Sequence, residues 1–157
     1  MDRADVKLLE ALQSDSTQSI AQLAEQAALS PSACHRRIRS LEQAGIISGY
    51  GARLDPRKLG LSLVVFVEIT LTSQSREAMD RFEDAVRAFD DILDCSLMSG
   101  NADYLLRVAA ADLAQFDAIH RDCLARLPGV SSMRSSFTIR NIKSWRGYPI
   151  SRCMNPA

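Results

Sequence analysis

Hydrophobic periodicity changes character once along this 157-residue chain, and that change constrains the fold more than any other feature. Up to about Gly45 the apolar residues recur at helical spacing; from Ile46 onward short β-rich runs appear and then alternate with helices. The break falls at "DPRKLG", Asp55 to Gly60, where a proline, a glycine and three charged residues separate the two patterns. The length suffices for two small units. The expected division is a helical unit over 1–50, a linker over 51–60, a mixed unit over 61–143 and a tail over 144–157.

Three short helices are expected in the first part. Asp2 can cap a helix carrying Val6, Leu8, Leu9 and Leu12, and Ser19 with Gln22 forms a capping box ahead of "IAQLAEQAAL". The third helix is the best marked, with Ser30 at its N-cap, Pro31 at its first position and Gly45 just past its end. A helix ending at Leu29 followed by a tight turn and a new helix from Pro31 makes a helix-turn-helix. The following "IISGYGARL" reads as a strand, either a wing or a lead into the next unit.

The second part gives six elements. They are a strand "LSLVVFVEITL", a helix "SREAMDRFEDAVRAF" with Met79, Phe82, Val86 and Phe89 aligned, a strand "ILDCSLMS", a turn at "GNAD" and a strand "YLLRVAA". A helix "DLAQFDAIHRDCLARL" aligns Leu113, Phe116, Ile119, Cys123 and Leu127, and a last strand runs through "VSSMRSSFTIRNIK". The order βαββαβ is that of a ferredoxin-like sandwich. The whole is α+β: an N-terminal helix-turn-helix, winged if the segment after Gly45 pairs, followed by the ferredoxin-like unit.

Projecting Pro31 to Ala44 at roughly 100° per residue places Cys34, Ile38 and Leu41 on one face and Ser32, Arg36, Arg39, Ser40 and Gln43 on the other. Guanidinium groups fork onto guanine edges or phosphates, and hydroxyls and amides suit base edges. The N-terminal part of such a helix enters the major groove, which puts Ser32, Ala33, His35 and Arg36 nearest the bases, with Arg37 and Arg39 at phosphates. Charge agrees with this reading. The chain balances 19 Lys and Arg against 19 Asp and Glu, which excludes a uniformly basic binder. Between Ala33 and Lys58, however, six bases face two acids, Glu42 and Asp55. The competing interpretation is a solvated helix face, which needs no ligand. His35, on the border of the two faces, is open between a DNA contact and a packing residue.

Other classes are disfavoured. Cys34, Cys95, Cys123 and Cys153 form no CxxC and have no histidine at ligand spacing, so neither a disulfide framework nor a metal site is expected, and the thiols read as reduced and mostly buried. The longest apolar run, Leu61 to Val67, is too short to cross a bilayer, and "MDRADVKLLE" lacks a signal-peptide core, so a cytoplasmic protein is expected. Two histidines and no nucleophile–base pair leave no catalytic residues to name and no cofactor to expect.

The string "LSPSACHRRIRSLEQAGIISGYGARLDPRKLG" resembles the helix-turn-helix and linker of the Lrp/AsnC, or feast/famine, transcriptional regulators. "SGNADYLLRV" resembles a second stretch of that family, and "D..LL.ALQSD", "SIAQLAEQAALS" and "LPGV" fit it in order, so the likeness covers nearly the whole chain. It implies a DNA-binding regulator with a C-terminal ligand-sensing unit, assembling as dimers and often octamers and responding to an amino acid. It also implies an effector pocket at the hairpin, matching Ser99, Gly100, Asn101, Asp103 and Tyr104, with Ser135, Ser136 and Thr138 added from a neighbouring subunit. Turn amides can hold a carboxylate there and Asp103 can pair with an α-ammonium group. The same Gly-Asn-Ala-Asp string is what a tight hairpin needs merely to turn, so both interpretations stand. Many relatives carry Asp where this chain has Asn101, which leaves the effector open.

Assembly has support in the residues themselves. Leu63, Val65, Val67 and Ile69 can face the helices, which leaves Val64 and Phe66 on a second face, to be covered by a twofold partner or by the linker. A dimer would present two recognition helices to a pseudo-palindromic site in double-stranded DNA. His120 reads as a core or interface histidine, and Trp145 and Tyr148 in the tail are open between docking on a neighbour and fraying. Two other functions remain in view: a tetrapyrrole-processing enzyme of similar architecture, and an amino-acid-binding module without DNA function.

Overall fold

Asp2 begins the chain's first helix by closing a ring of hydrogen bonds. Its Oδ1 accepts the amides of Ala4 at 2.9 Å and Asp5 at 3.0 Å, while its own N–H donates to Asp5 Oδ2 at 2.9 Å. This is α1, Arg3–Ser14. Ser19 and Gln22 form a second capping box at α2, Ile20–Ala27, and Ser30 with Pro31 opens α3, Pro31–Gln43. Each such cap stabilises its helix by about 1 kcal/mol relative to alanine. Between α2 and α3 the chain reverses through Ala28, whose backbone is left-handed (φ 55°, ψ 49°), with the Leu29 amide donating to Ala24 O at 2.8 Å.

The computed structural model describes residues 1–153, and these form two units: residues 1–53 together with the C-terminal segment from Lys143, and Leu54–Ile142. In the first, Leu8, Ala11, Leu23, Ala24, Ala27, Cys34 and Ile38 make a core in which the small alanines let the three helices approach closely. A second cluster joins Val6 and Leu9 of α1 and Leu41 of α3 to Ile150, in the short helix α6, Ile150–Cys153. The tail therefore packs on α1 of its own chain. Gln13 brackets the tail backbone, its Nε2 donating to Tyr148 O at 3.1 Å and its Oε1 accepting the Tyr148 amide at 2.7 Å. Gly147 beside it has φ 109°, and a Cβ there would collide with the Gln13 amide. Trp145 and Tyr148 stack edge to face at 4.8 Å and remain exposed. Residues 154–157 of the tail, and the Cys153 side chain, lie outside the described residues.

The second unit is the ferredoxin-like sandwich. Its elements are β1 Leu63–Leu71, α4 Arg76–Arg87, β2 Ile92–Leu97, β3 Tyr104–Ala110, α5 Leu113–Asp122 and β4 Val130–Phe137, with the antiparallel sheet ordered β2-β3-β1-β4. Alternation sorts each strand. Val65, Val67 and Ile69 of β1 pair in register with Val108, Leu106 and Tyr104 of β3, and this face packs on Phe82, Val86, Phe116 and Ile119 of the two helices. The opposite face carries Val64, Phe66, Leu105 and Ala109 around an exposed Arg107 that lies directly across from Phe66, itself 39% exposed. Arg134 grips Glu68 across it, through Nε at 2.8 Å and through Nη2.

Several expected features come out differently. No strand forms over 46–54 among the described residues, because a strand exists only where another strand pairs with it, and what lies beside this segment in its unit is helical. β4 stops at Phe137 instead of continuing to Lys143, since its partner β1 begins at Leu63 and the last bond available is Thr138 N–H to Val64 O at 2.9 Å. The helix α5 ends at Asp122 and gives way to a 3-10 turn, Leu124–Arg126, which buries Cys123, Leu124 and Leu127. Leu113, expected on the apolar face of α5, is 66% exposed. Angular position gives a residue a direction, and at the first turn of α5 nothing in the unit lies in that direction to cover it. Cys34 and Cys123 are buried and Cys95 half-buried, all as free thiols.

Candidate functional sites

The first site is the outward face of α3. Ser30 Oγ accepts the Ala33 amide at 3.2 Å and lies 3.2 Å from Ser32 Oγ, so the first turn is pinned where the helix begins. Ser32, His35, Arg36, Arg39 and Ser40 are exposed and Ala33 half-buried, while Cys34, Ile38 and Leu41 point inward. Among the described residues neither Arg36 nor Arg39 is paired with a carboxylate. His35 is exposed, on the outward side of its border position, and lines a cavity of about 260 Å³ with Gln18, Arg39, Glu42 and Tyr50.

Arg37 departs from the expectation of a phosphate contact. Its Nη1 lies 2.8 Å from Asp2 Oδ2 and 2.8 Å from Asp5 Oδ1, so it points along α1 and not outward. The Asp5 amide, and then Arg37, hold the Asp2 carboxyl below the usual carboxylate range. Tyr50, which no motif or periodicity singles out, donates from its hydroxyl to Glu42 Oε1 at 2.8 Å and ties the segment after α3 to that helix's last turn. Burial, and then Glu42, push the Tyr50 hydroxyl up to about 12.

The second site is the turn from β2 to β3. Met98 N–H donates to Asp103 O at 2.8 Å and Asp103 N–H to Ile69 O at 2.8 Å, which anchors the turn to the sheet. Both oxygens of Asp103 are already in use: Oδ2 accepts the Leu71 amide at 2.7 Å and Oδ1 accepts Gln74 Nε2 at 2.6 Å. Ser99, Gly100 and Asn101 are exposed. Tyr104 is not at this surface. It is 1% exposed, lies 4.6 Å ring to ring from Phe82 on the helix side, and donates to Glu83 Oε1 at 2.9 Å. Burial foremost, then Glu83, push its hydroxyl well above the usual range.

The two halves of the expected pocket do not meet within one copy. Ser135 and Ser136 pair with Val67 and Phe66, and Thr138 bonds to Val64, whereas the turn adjoins Ile69. Five residues of strand separate Thr138 from the turn's end of the sheet, about 17 Å of rise, and β1 lies between β3 and β4. Ser136 shares the open face with Phe66, while Ser135 faces the helices. Among the described residues no His, Cys, Asp and Glu cluster could hold a metal, and no helix is long and apolar enough to cross a membrane.

A capped helix-turn-helix with two unpaired arginines on its outward helix, joined in one chain to a ferredoxin-like unit, is the build of a DNA-binding protein that carries its own sensing unit. The comparisons bear this out. Residues 1–48 match the model for winged helix-turn-helix DNA-binding domains, and residues 64–148 match that for the Lrp/AsnC ligand binding domain. The chain therefore belongs to the Lrp/AsnC family of transcriptional regulators. It is 38% identical over 143 residues to the leucine-responsive regulatory protein of Escherichia coli (strain K12), which covers 91% of this chain and 87% of that protein. Among solved structures it is similar to a transcriptional regulator from Neisseria meningitidis in complex with L-methionine, at 33% identity and a TM-score of 0.91, covering 98% of this chain and 99% of that one. An AsnC family regulator from Agrobacterium tumefaciens gives 38% identity and a TM-score of 0.91, covering 96% and 98%.

Proposed function

We propose that this transcriptional regulator reads a pseudo-palindromic operator with two copies of α3, and that an amino acid bound at the β2–β3 turn modulates its affinity or assembly. Ser32, Ala33, His35 and Arg36 meet base edges, and Arg39 and Ser40 meet phosphates. The observation that carries this is the unpaired state of Arg36 and Arg39 on the outward face of a doubly fixed helix. Binding, not catalysis, is the activity, and it takes place in the cytoplasm. The test is a titration of the DNA upstream of the chain's own reading frame. Wild type should bind at low salt, with Arg36→Ala weaker by about 1–3 kcal/mol and less selective. Equal binding by both proteins would overturn the reading.

The effector reading rests on the turn and on the relative that binds L-methionine. Exposed amides at Ser99, Gly100 and Asn101 receive the ligand's carboxylate, and Asp103, though braced, has lone pairs left for an ammonium group. Ser136 and Thr138 contribute from a second copy, since their own lie too far along the sheet; Ser135, which faces the helices of its own copy, does not. Tyr104 supports the turn from the helix side without touching the ligand. Thermal-shift titration with each of the twenty amino acids checks this: a ligand bound only by the folded protein raises its melting temperature. A flat response to all of them would remove the amino-acid reading and leave the DNA-binding one intact.

A further inference from the structure

Three arginines crowd the middle of α3, and only one of them is spoken for. Arg37 Nη1 sits between Asp2 Oδ2 and Asp5 Oδ1, each at 2.8 Å, and these are the two carboxylates that close the capping box of α1. Asp2 is in turn fixed by the Ala4 and Asp5 amides, and Asp5 by the Asp2 amide. The guanidinium is therefore held by groups that are themselves held by backbone, in a site where Arg37 and Asp5 are 31% and 15% exposed at their side chains.

We infer that Arg37 is a positioning residue: it locks the rotation of α3 about its own axis against the start of α1, and so sets the direction in which Arg36 and Arg39 present their charge to DNA. The helical geometry makes the consequence specific. With Arg37 directed at α1, Arg36 points roughly 100° to one side and Arg39 roughly 200° to the other, leaving those two about 60° apart on the face turned away from α1. A rotation of α3 small enough to keep Cys34 and Ile38 buried would still swing both arginines relative to the groove, and bidentate contacts tolerate little misalignment. Hydrophobic contacts alone fix such a rotation loosely, because apolar packing is non-directional; two charge-assisted hydrogen bonds to one guanidinium are directional. The pairing has a second effect. Two carboxylates neutralise Arg37 with one negative charge over, so the α1 side of the helix does not compete for phosphate.

The inference rests on the DNA-binding reading, and its test separates the two. Binding of wild type and Arg36→Ala to the operator tests that reading; the inference is read from position 37 alone. Arg37→Met should weaken operator binding about tenfold, the equivalent of one lost charge-assisted hydrogen bond, with the dependence of log K on log salt unchanged. If Arg37 instead contacts phosphate, that slope falls by about 1.8 per dimer, and the inference is overturned. The reversed pair supplies the second arm. Arg37→Asp should lose binding and Asp5→Arg added to it should restore a substantial part; a phosphate contact would not be restored by an acid at position 37. Amide exchange provides a readout without DNA: Ala4, Asp5 and Val6 should exchange faster in Arg37→Met while Leu23 and Ala24 of α2 are unchanged. Unaltered exchange at the start of α1 would also overturn the inference, since the lock would then be absent.

Discussion

Asp103 can be read as the brace of a hairpin or as a ligand for an ammonium group, and the structure gives the magnitudes needed to separate the two. Its Oδ2 accepts the Leu71 amide at 2.7 Å and its Oδ1 accepts Gln74 Nε2 at 2.6 Å. Leu71 is 7% exposed and lies where the β1–β4 register breaks between Thr70 and Leu71. Replacing Asp103 by alanine leaves that amide without its side-chain acceptor and removes a charged partner, which should cost about 2–3 kcal/mol. Asparagine keeps one oxygen for Leu71, and a half-turn of the Gln74 amide can accept the new Nδ2, so the loss should be about 1 kcal/mol. For a unit of this size that means a melting shift of about 10–20 °C for Asp103→Ala and about 4–8 °C for Asp103→Asn. The assay is amide exchange at β1 and β3, because the two units need not unfold together; the chain's one tryptophan, Trp145, lies in the other unit and its fluorescence serves as the control. Equal losses for the two variants, or none for alanine, would refute the bracing argument. The ligand role is then measured in the asparagine variant, which stays folded: stabilisation by the bound amino acid should vanish there if the carboxylate meets its ammonium group.

Three further outcomes are expected. Phe66→Arg sets a second cation opposite Arg107 at the centre of the open sheet face, and sedimentation should show a monomer that binds a half-site only; a dimer of unchanged affinity would remove that face as the interface. Ala28→Gly relieves a left-handed backbone that alanine adopts at a cost, and should stabilise the first unit by about 0.5–1 kcal/mol after the greater freedom of unfolded glycine is counted, as read by Trp145 fluorescence in urea; a lower midpoint would refute it. The Asp2 carboxyl is depressed by the Asp5 amide and Arg37, so its contribution to the first unit is present above the ordinary carboxylate range and lost as pH falls through its folded value. Asp2→Asn should flatten that acid limb, and an unchanged profile would mean that the ring closed by Asp2 does not matter to stability.

What was legible in the sequence was local. Capping residues declare themselves within four positions, which is why Asp2, Ser19 and Ser30 are seen to start α1, α2 and α3 as the string suggests. Alternation is equally local, and it assigned the faces of β1 correctly. The same alternation bears on Tyr104, which is in phase with Leu106, Val108 and Ala110, all in the core: its parity places it under the sheet, although the family resemblance implied a pocket residue. Pairings between distant residues were not legible. Arg37 meets Asp5 across 32 positions and Gln13 meets Tyr148 across 135, and no periodicity encodes either. Nor does periodicity say whether a strand-like segment has a partner, which is why 46–54 reads as a strand and forms none.

The charge of the DNA-facing surface changes meaning once these distant pairings are known. By composition, Arg37 and Arg39 are equivalent phosphate-facing cations, and a dimer presenting both from each copy would neutralise four phosphates, with a slope of log K against log salt of about −3.6. The acids of α1 withdraw one from each copy. The remaining Arg39 of each copy gives about −1.8, before any contribution from Arg57 and Lys58, whose side of the chain belongs to the other unit. Arg53 is also committed, donating to the Gln13 carbonyl, though it keeps its charge. A measured slope near the larger value would mean that Arg37 leaves Asp2 and Asp5 on binding; a slope near the smaller one means that the free protein already has its reading surface in place. Neutral overall composition is then no obstacle to DNA binding. Acidic residues near a recognition helix need not weaken it, because here they determine which of its arginines are free to act.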